Sequence, residues 1–163
     1  MKFVKIEVNQ VDEVFIFLKN SAILLKNRNI NYWKNWIDPS EESIKWIIQG
    51  LKDQQFYHVY ENENLIGMFR LLFEDKSFWG IRNDKAGYIH SFAIDQKYCG
   101  KKKGYQVLSK IEELLSKSNY NFLRLDCGKS NLPLCKYYEN YGFNIVGEII
   151  VDENEIVLME KLL

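Results

Sequence analysis

The chain has 163 residues, which fits one domain with enough interior for a hydrophobic core that needs no disulfide or metal to hold it. Apolar residues make up 47% and charged residues 27%, so a disordered or fibrous chain is excluded. Lys and Arg together number 22, as do Asp and Glu, and this balance provides no overall basic surface for nucleic acid.

The cysteines and the amino terminus indicate the compartment. Cys99, Cys127 and Cys135 form no Cys-x-x-Cys pair and have no histidines at zinc-finger spacing, so we expect free thiols and no metal site. The amino terminus lacks the charged, apolar and small-residue regions of a signal peptide. No apolar run approaches the ~18 residues of a membrane span. We therefore expect a cytoplasmic protein that crosses no membrane.

The first half of the chain is predicted to form a strand, two helices and three strands. A helix start is predicted at residues 38–41, with Asp38 as the N-cap, Pro39 in the first turn and Glu41 reaching back to the cap. Residues 27–31 are an Asn-rich break and residues 75–85 are a predicted loop. The predicted elements are strand 3–8, a helix through 11–22, a helix from 38 to 50, and strands 55–61, 65–74 and 86–94.

The second half is predicted to form a helix through 107–115, a buried strand at 122–127, a helix at 132–141 and a hairpin of strands 144–151 and 155–162. Gly142 is the residue best able to end the second helix in a left-handed conformation. The element order is β-α-α-β-β-β-α-β-α-β-β. It predicts a single domain over residues 1–163, with an α/β (α+β) fold and a mixed, mostly antiparallel central sheet flanked by about four helices.

The most informative stretch runs from Ile94 to Gly104 and joins a strand to the start of a helix. Unpaired backbone N–H groups and the helix dipole at such a junction favour an anion. Gly100 and Gly104 leave room for phosphate oxygens, and four lysines lie within seven residues: Lys97, Lys101, Lys102 and Lys103. The spacing matches neither a P-loop nor Gly-x-Gly-x-x-Gly. A polyphosphate site and a merely solvated loop both fit this pattern.

The downstream sequence favours the polyphosphate site. Asn131 precedes a helix that ends in Tyr138-Glu139-Asn140-Tyr141-Gly142-Phe143. With the element order and the phrases at 86–90 and 123–127, this resembles the GNAT superfamily of N-acetyltransferases over essentially the whole chain, in a bacterial branch that acts on small amines. The resemblance implies that acetyl-CoA binds at the splay between strands 86–94 and 122–127, and that no metal is needed.

The loop departs from the family pattern. The usual order is Arg/Gln-x-x-Gly-x-Gly/Ala, but Cys99 takes the first place here and Lys102 takes the place of the middle glycine. Only Gly104 fits, with Gly100 as the extra glycine that many members have. A lysine is tolerated at position 102 if its φ angle stays negative. We expect the three lysines at positions 101–103 to offset the loss of the arginine.

The resemblance also assigns cofactor-binding roles. The backbone of Phe92, Ala93 and Ile94 pairs with pantetheine and polarises the thioester carbonyl, an effect typically worth ~2.7–4 kcal/mol per donor. Asn131 contacts the cofactor or simply caps its helix. The remaining predicted cofactor residues are Cys99, Gly100, Lys101, Lys102, Lys103, Gly104 and Tyr105.

Two residues are predicted to be catalytic. The resemblance implies that Tyr138 serves the departing thiolate, with core packing as the alternative. An alkyl amine with a pKa of ~10.4 needs a base at neutral pH, and His90 is the best-placed titratable group. Other candidates are water and the side chains of Asp126, His58, Glu74 and Asp75. The alternative is a structural His90, with Arg124 and Asp126 as an ion pair.

The resemblance implies that an aromatic cluster of this sequence lies where the family builds its acceptor pocket. Trp33 and Trp79 are the predicted substrate-binding residues, because aromatic rings bind cations such as an ammonium group. The cluster comprises Tyr32, Trp33, Trp36, Trp46, Phe78 and Trp79, and the same residues also suit a hydrophobic core.

We therefore predict an acetyl-CoA-dependent N-acetyltransferase in which a primary amine of a small molecule or peptide attacks the thioester directly in a ternary complex. One alternative is a non-catalytic CoA-binding regulatory module, which the altered loop favours. Another is a lysine-rich loop that binds RNA or another polyanion, which the neutral net charge disfavours. The resemblance also implies a homodimer through the C-terminal hairpin.

Overall fold

The computed structural model describes residues 1–30 and 32–163, and it has the predicted mixed α/β architecture. The strands are β1 (Lys2–Lys5), β2 (Phe56–Glu61), β3 (Asn64–Leu72), β4 (Ala86–Ile94), β5 (Phe122–Gly128), β6 (Asn144–Val151) and β7 (Asn154–Leu162). The α-helices are α1 (Val11–Asn27), α2 (Glu41–Lys52), α3 (Lys76–Trp79), α4 (Lys103–Lys117) and α5 (Leu132–Tyr141). The seven strands form one sheet in the order β1-β2-β3-β4-β5-β7-β6. Their pairing is antiparallel in β1–β2, β2–β3, β5–β7 and β6–β7 and parallel in β4–β5, which confirms a mostly antiparallel sheet.

The chain divides into two compact units. The first unit consists of Met1–Arg70 and Ser91–Gly104, and the second of Leu71–His90 and Tyr105–Leu163. Within the described parts of the chain, no helix is long and apolar enough to cross a membrane.

The core of the first unit forms between α1, α2 and the strands β2 and β3. Helix α2 begins two residues later than predicted, because Ser40 rather than Asp38 is the N-cap and its hydroxyl accepts a hydrogen bond from the Ser43 N–H at 3.2 Å. The buried residues of this core are Ile6, Val14, Leu18, Ile47, Leu51, Phe56 and Met68.

The second unit is organised by the parallel pairing of β4 with β5. Ala86 is opposite Phe122, and the register continues to Ile89 opposite Leu125. Helix α5 matches the prediction at both ends: the Asn131 side chain caps it by accepting from the Leu134 N–H, and Gly142 ends it with a φ of 106°.

The two hairpins use the same turn chemistry. Asn62 and Glu63 both have positive φ angles between β2 and β3, and Asp152 and Glu153 do so between β6 and β7. Two consecutive left-handed residues match the right-handed twist of the flanking strands. Asparagine follows each turn, at positions 64 and 154, and donates back to a turn carbonyl.

Three further predicted segments differ from the structure. The first strand ends at Lys5 instead of residue 8, because Val8–Gln10 form a short 3-10 helix that leads into α1. The predicted loop 75–85 contains the one-turn helix α3, which Asp75 caps and Gly80 ends. The Asn-rich break begins at Arg28, where α1 has ended, and Asn31 lies outside the described residues.

Candidate active site

The predicted phosphate loop adopts left-handed backbone conformations at two positions. Gly100 has a φ of 75°, and an added Cβ atom there would have no heavy atom within 4 Å. Lys102 has a φ of 56°, so the condition that its φ stays negative is not met. A left-handed conformation costs a non-glycine residue roughly 1–2 kcal/mol. The lysine therefore adopts a backbone conformation that glycine would adopt more easily.

The lysines of this loop differ in their partners. Lys103 Nζ lies 2.8 Å from Glu61 Oε1, and Lys97 Nζ lies 3.4 Å from Asp95 Oδ2. Lys101 and Lys102 are exposed and form no ion pair within the part of the chain that the structure describes. These two are the loop cations best able to pair with an anionic ligand.

The loop ends in helix α4, which begins earlier than predicted. The helix starts at Lys103, so the buried Gly104 lies in its first turn. Cys99 is exposed at the start of the loop and is a free thiol. The roles of Gly104 and Cys99 as cofactor contacts stay predictions.

The end of β4 is held closely against β3. The Asp95 N–H donates to the Ile66 carbonyl at 2.9 Å. A Cβ atom at Gly67 would lie 2.6 Å from the Ala93 carbonyl oxygen, so the close approach requires glycine. Within β4, Ser91 has a φ of 50°, a strained conformation for a non-glycine residue in a strand. This local geometry positions the backbone of residues 92–94, whose predicted role toward pantetheine stays a prediction.

Helix α5 carries the predicted Tyr138 in a buried aromatic environment. The ring makes edge contacts with Tyr137 at 5.5 Å and Phe143 at 5.7 Å between centroids. The ring of Tyr105 is tilted by 37° against that of Tyr137, with 4.4 Å between centroids, and its hydroxyl donates to the Tyr137 carbonyl, which links α4 to α5.

Two buried cysteines join α5 to β5. The sulfur atoms of Cys127 and Cys135 are 3.5 Å apart, and both thiols are free. Burial raises the pKa of the Cys127 thiol, and its contact with Cys135 raises it further, so Cys127 stays protonated near neutral pH.

The predicted base, His90, lies between two carboxylates. Its Nε2 atom is 2.9 Å from Asp75 Oδ2, and its Nδ1 atom is 3.4 Å from Asp126 Oδ1. The exposed fractions of the three side chains are 11% for His90, 6% for Asp75 and 8% for Asp126. We call these residues the Asp75–His90–Asp126 cluster; it brings together three of the candidate bases named from the sequence.

The register of the parallel strands explains half of this cluster. His90 and Asp126 directly follow the last registered pair, Ile89 and Leu125, on the two strands. Side chains two residues apart in a strand share a face, so both lie on the face of Tyr88 and Arg124, which are themselves hydrogen bonded. The sequence could not supply the position of Asp75, because that contact depends on where residues 75–85 fold back.

The buried Arg124, which we considered as a partner of Asp126, has two other carboxylates at its guanidinium. Its guanidinium binds Asp84 and Glu160 and donates to the Tyr88 hydroxyl at 2.8 Å. Burial opposes the charge, but these hydrogen bonds outweigh it and raise the pKa of Arg124. Arg124 thus forms structural ion pairs with Asp84 and Glu160, and Asp126 contacts His90.

The two predicted substrate-binding tryptophans pack in different cores. Trp33 has a φ of 65° and is half-buried against the core of the first unit. Trp79 is buried beside Tyr88 and lies 5.0 Å from the Arg124 guanidinium, while its indole N–H has no hydrogen-bond partner among the described residues. Their contact with a substrate stays a prediction.

Among the described residues, no group of three or more His, Cys, Asp and Glu side chains is arranged to hold a metal ion.

The chain is similar to a known protein family and to solved structures. The family model described as "Acetyltransferase (GNAT) family" matches residues 25–143. No protein of curated function matches the chain significantly. A GNAT-family acetyltransferase structure from Listeria monocytogenes 4b F2365 is 22% identical, covers 99% of this chain and 94% of its own, and has a TM-score of 0.77.

Two further structures share the fold. AAC(6')-Ib in complex with ribostamycin and coenzyme A is 17% identical over 99% of this chain and 92% of its own, with a TM-score of 0.75. A chimera of the spermidine N-acetyltransferase SpeG from Vibrio cholerae and hSSAT is 14% identical. The match covers 99% of this chain and 96% of the chimera, with a TM-score of 0.68. Because the family match spans more than half of the sequence, the chain belongs to the GNAT family of acetyltransferases and is an acyl-CoA-dependent N-acetyltransferase.

Proposed function

We propose that this enzyme transfers the acetyl group of acetyl-CoA to a primary amine of a small molecule or peptide, by direct attack in a ternary complex. The observation that carries the proposal is the Asp75–His90–Asp126 cluster, because amine acetylation requires a group that takes a proton from the amine. Two structurally similar proteins support an amine acceptor, since one is bound to ribostamycin and the other is a spermidine N-acetyltransferase.

We assign the pyrophosphate of the donor to the loop Cys99–Gly104. Gly100 and Lys102 both have positive φ angles, and a left-handed residue next to a right-handed one can turn successive N–H groups toward an anion. Lys101 and Lys102 add two exposed positive charges without carboxylate partners among the described residues. The residues present therefore fit a pyrophosphate, although the family's arginine and middle glycine are replaced.

The proposed chemistry uses two side chains and the backbone. His90 accepts the proton that the amine loses as its nitrogen bonds to the acetyl carbon. The N–H groups of residues 92–94 stabilise the negative charge on the carbonyl oxygen. Tyr138 donates its hydroxyl proton to the departing sulfur; with ordinary pKa values of ~10 for the phenol and ~8.5 for the thiol, this transfer is slightly uphill. Solvent then returns the proton from His90 to Tyr138.

We further propose that the chain acts as one acetyltransferase domain in the cytoplasm. The family match includes segments of both compact units. Three free cysteines support a reducing compartment.

A homodimer through the C-terminal hairpin is supported by the exposed apolar residues Ile145, Val146 and Ile150 on the edge strand β6. Sedimentation of the wild type and of an Ile150→Lys variant tests this contact, because only a dimer through β6 would dissociate in the variant.

Calorimetric titration with acetyl-CoA, CoA and tripolyphosphate tests donor binding, and thiol release with ribostamycin, spermidine and a lysine-containing peptide tests the reaction. We expect binding that prefers the CoA compounds and turnover with at least one amine. Equal, salt-sensitive binding of all three anions would instead favour a general polyanion site. CoA-specific binding without turnover of a broad amine panel would favour a regulatory module.

The Tyr138→Phe variant tests the proton donor. We expect kcat to fall by roughly 10²-fold, the lower end of the usual contribution of a general acid, with little change in the affinity for acetyl-CoA, because the ring and its packing are kept and only the hydroxyl is lost. Tyr137→Phe, on the same helix, is the matched control. Unchanged turnover in Tyr138→Phe would remove this residue from the mechanism.

A further inference from the structure

Asp75 uses both oxygen atoms of its buried carboxylate. Oδ1 accepts a hydrogen bond from the Phe78 N–H at 3.3 Å, which caps α3. Oδ2 lies 2.9 Å from Nε2 of His90 on β4. One carboxylate therefore holds the start of α3 and the imidazole ring together.

The contact with Oδ2 determines where the proton of a neutral His90 resides. An ionised carboxylate only accepts hydrogen bonds, so the nitrogen that faces it at 2.9 Å carries the hydrogen. The other nitrogen, Nδ1, then holds the lone pair. Asp126 Oδ1 is 3.4 Å from Nδ1, beyond the ordinary range of about 2.7–3.2 Å for an N–H···O bond. The unequal distances fit an Nε2–H tautomer.

Phe78 packs against the imidazole ring of His90. Its side chain makes an edge contact with the imidazole, with 5.4 Å between centroids and an interplanar angle of 65°. The Phe78 N–H is the group that Asp75 caps. The same carboxylate thus fixes the ring directly and also fixes the segment that packs against it.

We propose that Asp75 is the positioning residue of this active site: it holds neutral His90 as the Nε2–H tautomer, so that Nδ1 accepts the proton of the acceptor amine. Asp126 then pairs with the new Nδ1–H. The role in proton transfer rests on the proposed function, whereas the tautomer is a property of the free protein. In the reaction, the amine nitrogen forms the bond to the acetyl carbon, the C–S bond breaks, the amine proton moves to Nδ1, and the sulfur is protonated by Tyr138.

Asparagine at position 75 makes a sharp test because it keeps the cap and reverses the hydrogen bond. With its oxygen accepting from the Phe78 N–H, the amide NH₂ of Asp75→Asn faces His90 Nε2 and donates to it. The ring must then place its lone pair at Nε2 and its proton at Nδ1. Glu74→Gln is the matched control, because it removes a neighbouring, exposed carboxylate that pairs with Lys76.

Nitrogen-15 NMR of the free protein reads the tautomer directly. The chain has two histidines, so the spectrum of a His58→Gln variant assigns the signals of His90. Near neutral pH we expect one protonated nitrogen at Nε2 in the wild type and in Glu74→Gln, and a protonated Nδ1 in Asp75→Asn. We expect kcat/KM of Asp75→Asn to fall on the order of 10²-fold, with the affinity for acetyl-CoA unchanged.

The results separate this inference from the proposed function. A wild-type ring protonated at Nδ1, or at both nitrogens, would overturn the inference, as would an Asp75→Asn variant that keeps the wild-type tautomer and rate. The expected tautomers in a protein that acetylates no amine would refute only the proposed function. Since the spectrum needs neither donor nor acceptor, each outcome can be reached independently of the other.

Discussion

The loop Cys99–Gly104 and the Asp75–His90–Asp126 cluster are built in opposite ways. The loop is largely exposed and is defined by its backbone, with left-handed residues at Gly100 and Lys102. The cluster is buried and is defined by side-chain atoms 2.9 and 3.4 Å apart. A backbone site tolerates a change of residue if the conformation can still be reached. A site made of side chains does not tolerate such a change, because each nitrogen of the imidazole faces one particular carboxylate oxygen.

Replacing His90 gives the largest expected effect, since the cluster has no second imidazole. We expect His90→Ala to lower kcat/KM for the amine by roughly 10²- to 10⁴-fold, the usual contribution of a general base. Calorimetry should show unchanged binding of CoA, because the proposed phosphate loop does not include the substituted side chain. A pH–rate profile that overlays the wild type would exclude His90 as the base.

Two substitutions in the loop sharpen the comparison because they should act in opposite directions. Gly100→Ala places a side chain at a φ of 75°, which should cost about 1–2 kcal/mol in the free energy of unfolding. Lys102→Gly removes the strain of the same left-handed conformation. Glycine also has greater freedom in the unfolded chain, which offsets part of this effect, so we expect the free energy of unfolding to rise by up to about 1 kcal/mol.

Urea denaturation of both loop variants and the wild type gives these differences. The Lys102→Ala variant separates charge from backbone, since it removes the ammonium group and keeps a Cβ atom. A Lys102→Gly protein that is less stable than wild type would contradict a left-handed residue at this position.

Replacing His58 gives the smallest expected effect. This histidine shows what burial does to the pKa of an imidazole, whereas His90 lies between two carboxylates. This second histidine is buried in β2, where Nε2 has no hydrogen bond among the described residues and lies 3.8 Å from Glu13. Burial lowers the pKa of His58, and the Glu13 charge partly opposes this. Below the ordinary pKa of ~6.5 the unfolded chain binds a proton that the folded protein does not, so stability falls as the pH falls.

Thermal or urea unfolding between pH 5 and 8 measures this contribution. The His58→Leu variant should show a shallower loss of stability below about pH 6.5 than the wild type. Equal slopes in both proteins would mean that His58 takes up its proton as readily in the folded as in the unfolded state.

Local signals in the sequence predicted those elements whose ends are set by neighbouring residues. Helix α5 agrees at both ends. Its start is set by the Asn131 side chain, which accepts a backbone hydrogen bond, and its end is set by Gly142, which adopts a left-handed conformation. Helix α3 was missed, since a single turn is too short to show the 3.6-residue periodicity that identifies a helix.

The candidate site was predictable as a set of residues but not as a geometry. The sequence indicated His90, Asp126 and Asp75 as candidate bases, yet only the strand register and the folding back of the segment before β4 bring them together. The φ of Lys102 was not predictable either, because a lysine at a glycine position normally argues for a negative angle. Long-range packing and backbone strain decide these features, and neither leaves a local pattern.

The unequal burial of the three cysteines gives this enzyme a built-in reporter. Cys127 and Cys135 are buried against each other, whereas Cys99 is exposed at the first position of the proposed phosphate loop. A maleimide dye should therefore label the unmodified wild-type protein at one place, without the removal of any native thiol. Fluorescence from that dye would follow occupancy of the loop in real time, under conditions where no acetyl group is transferred.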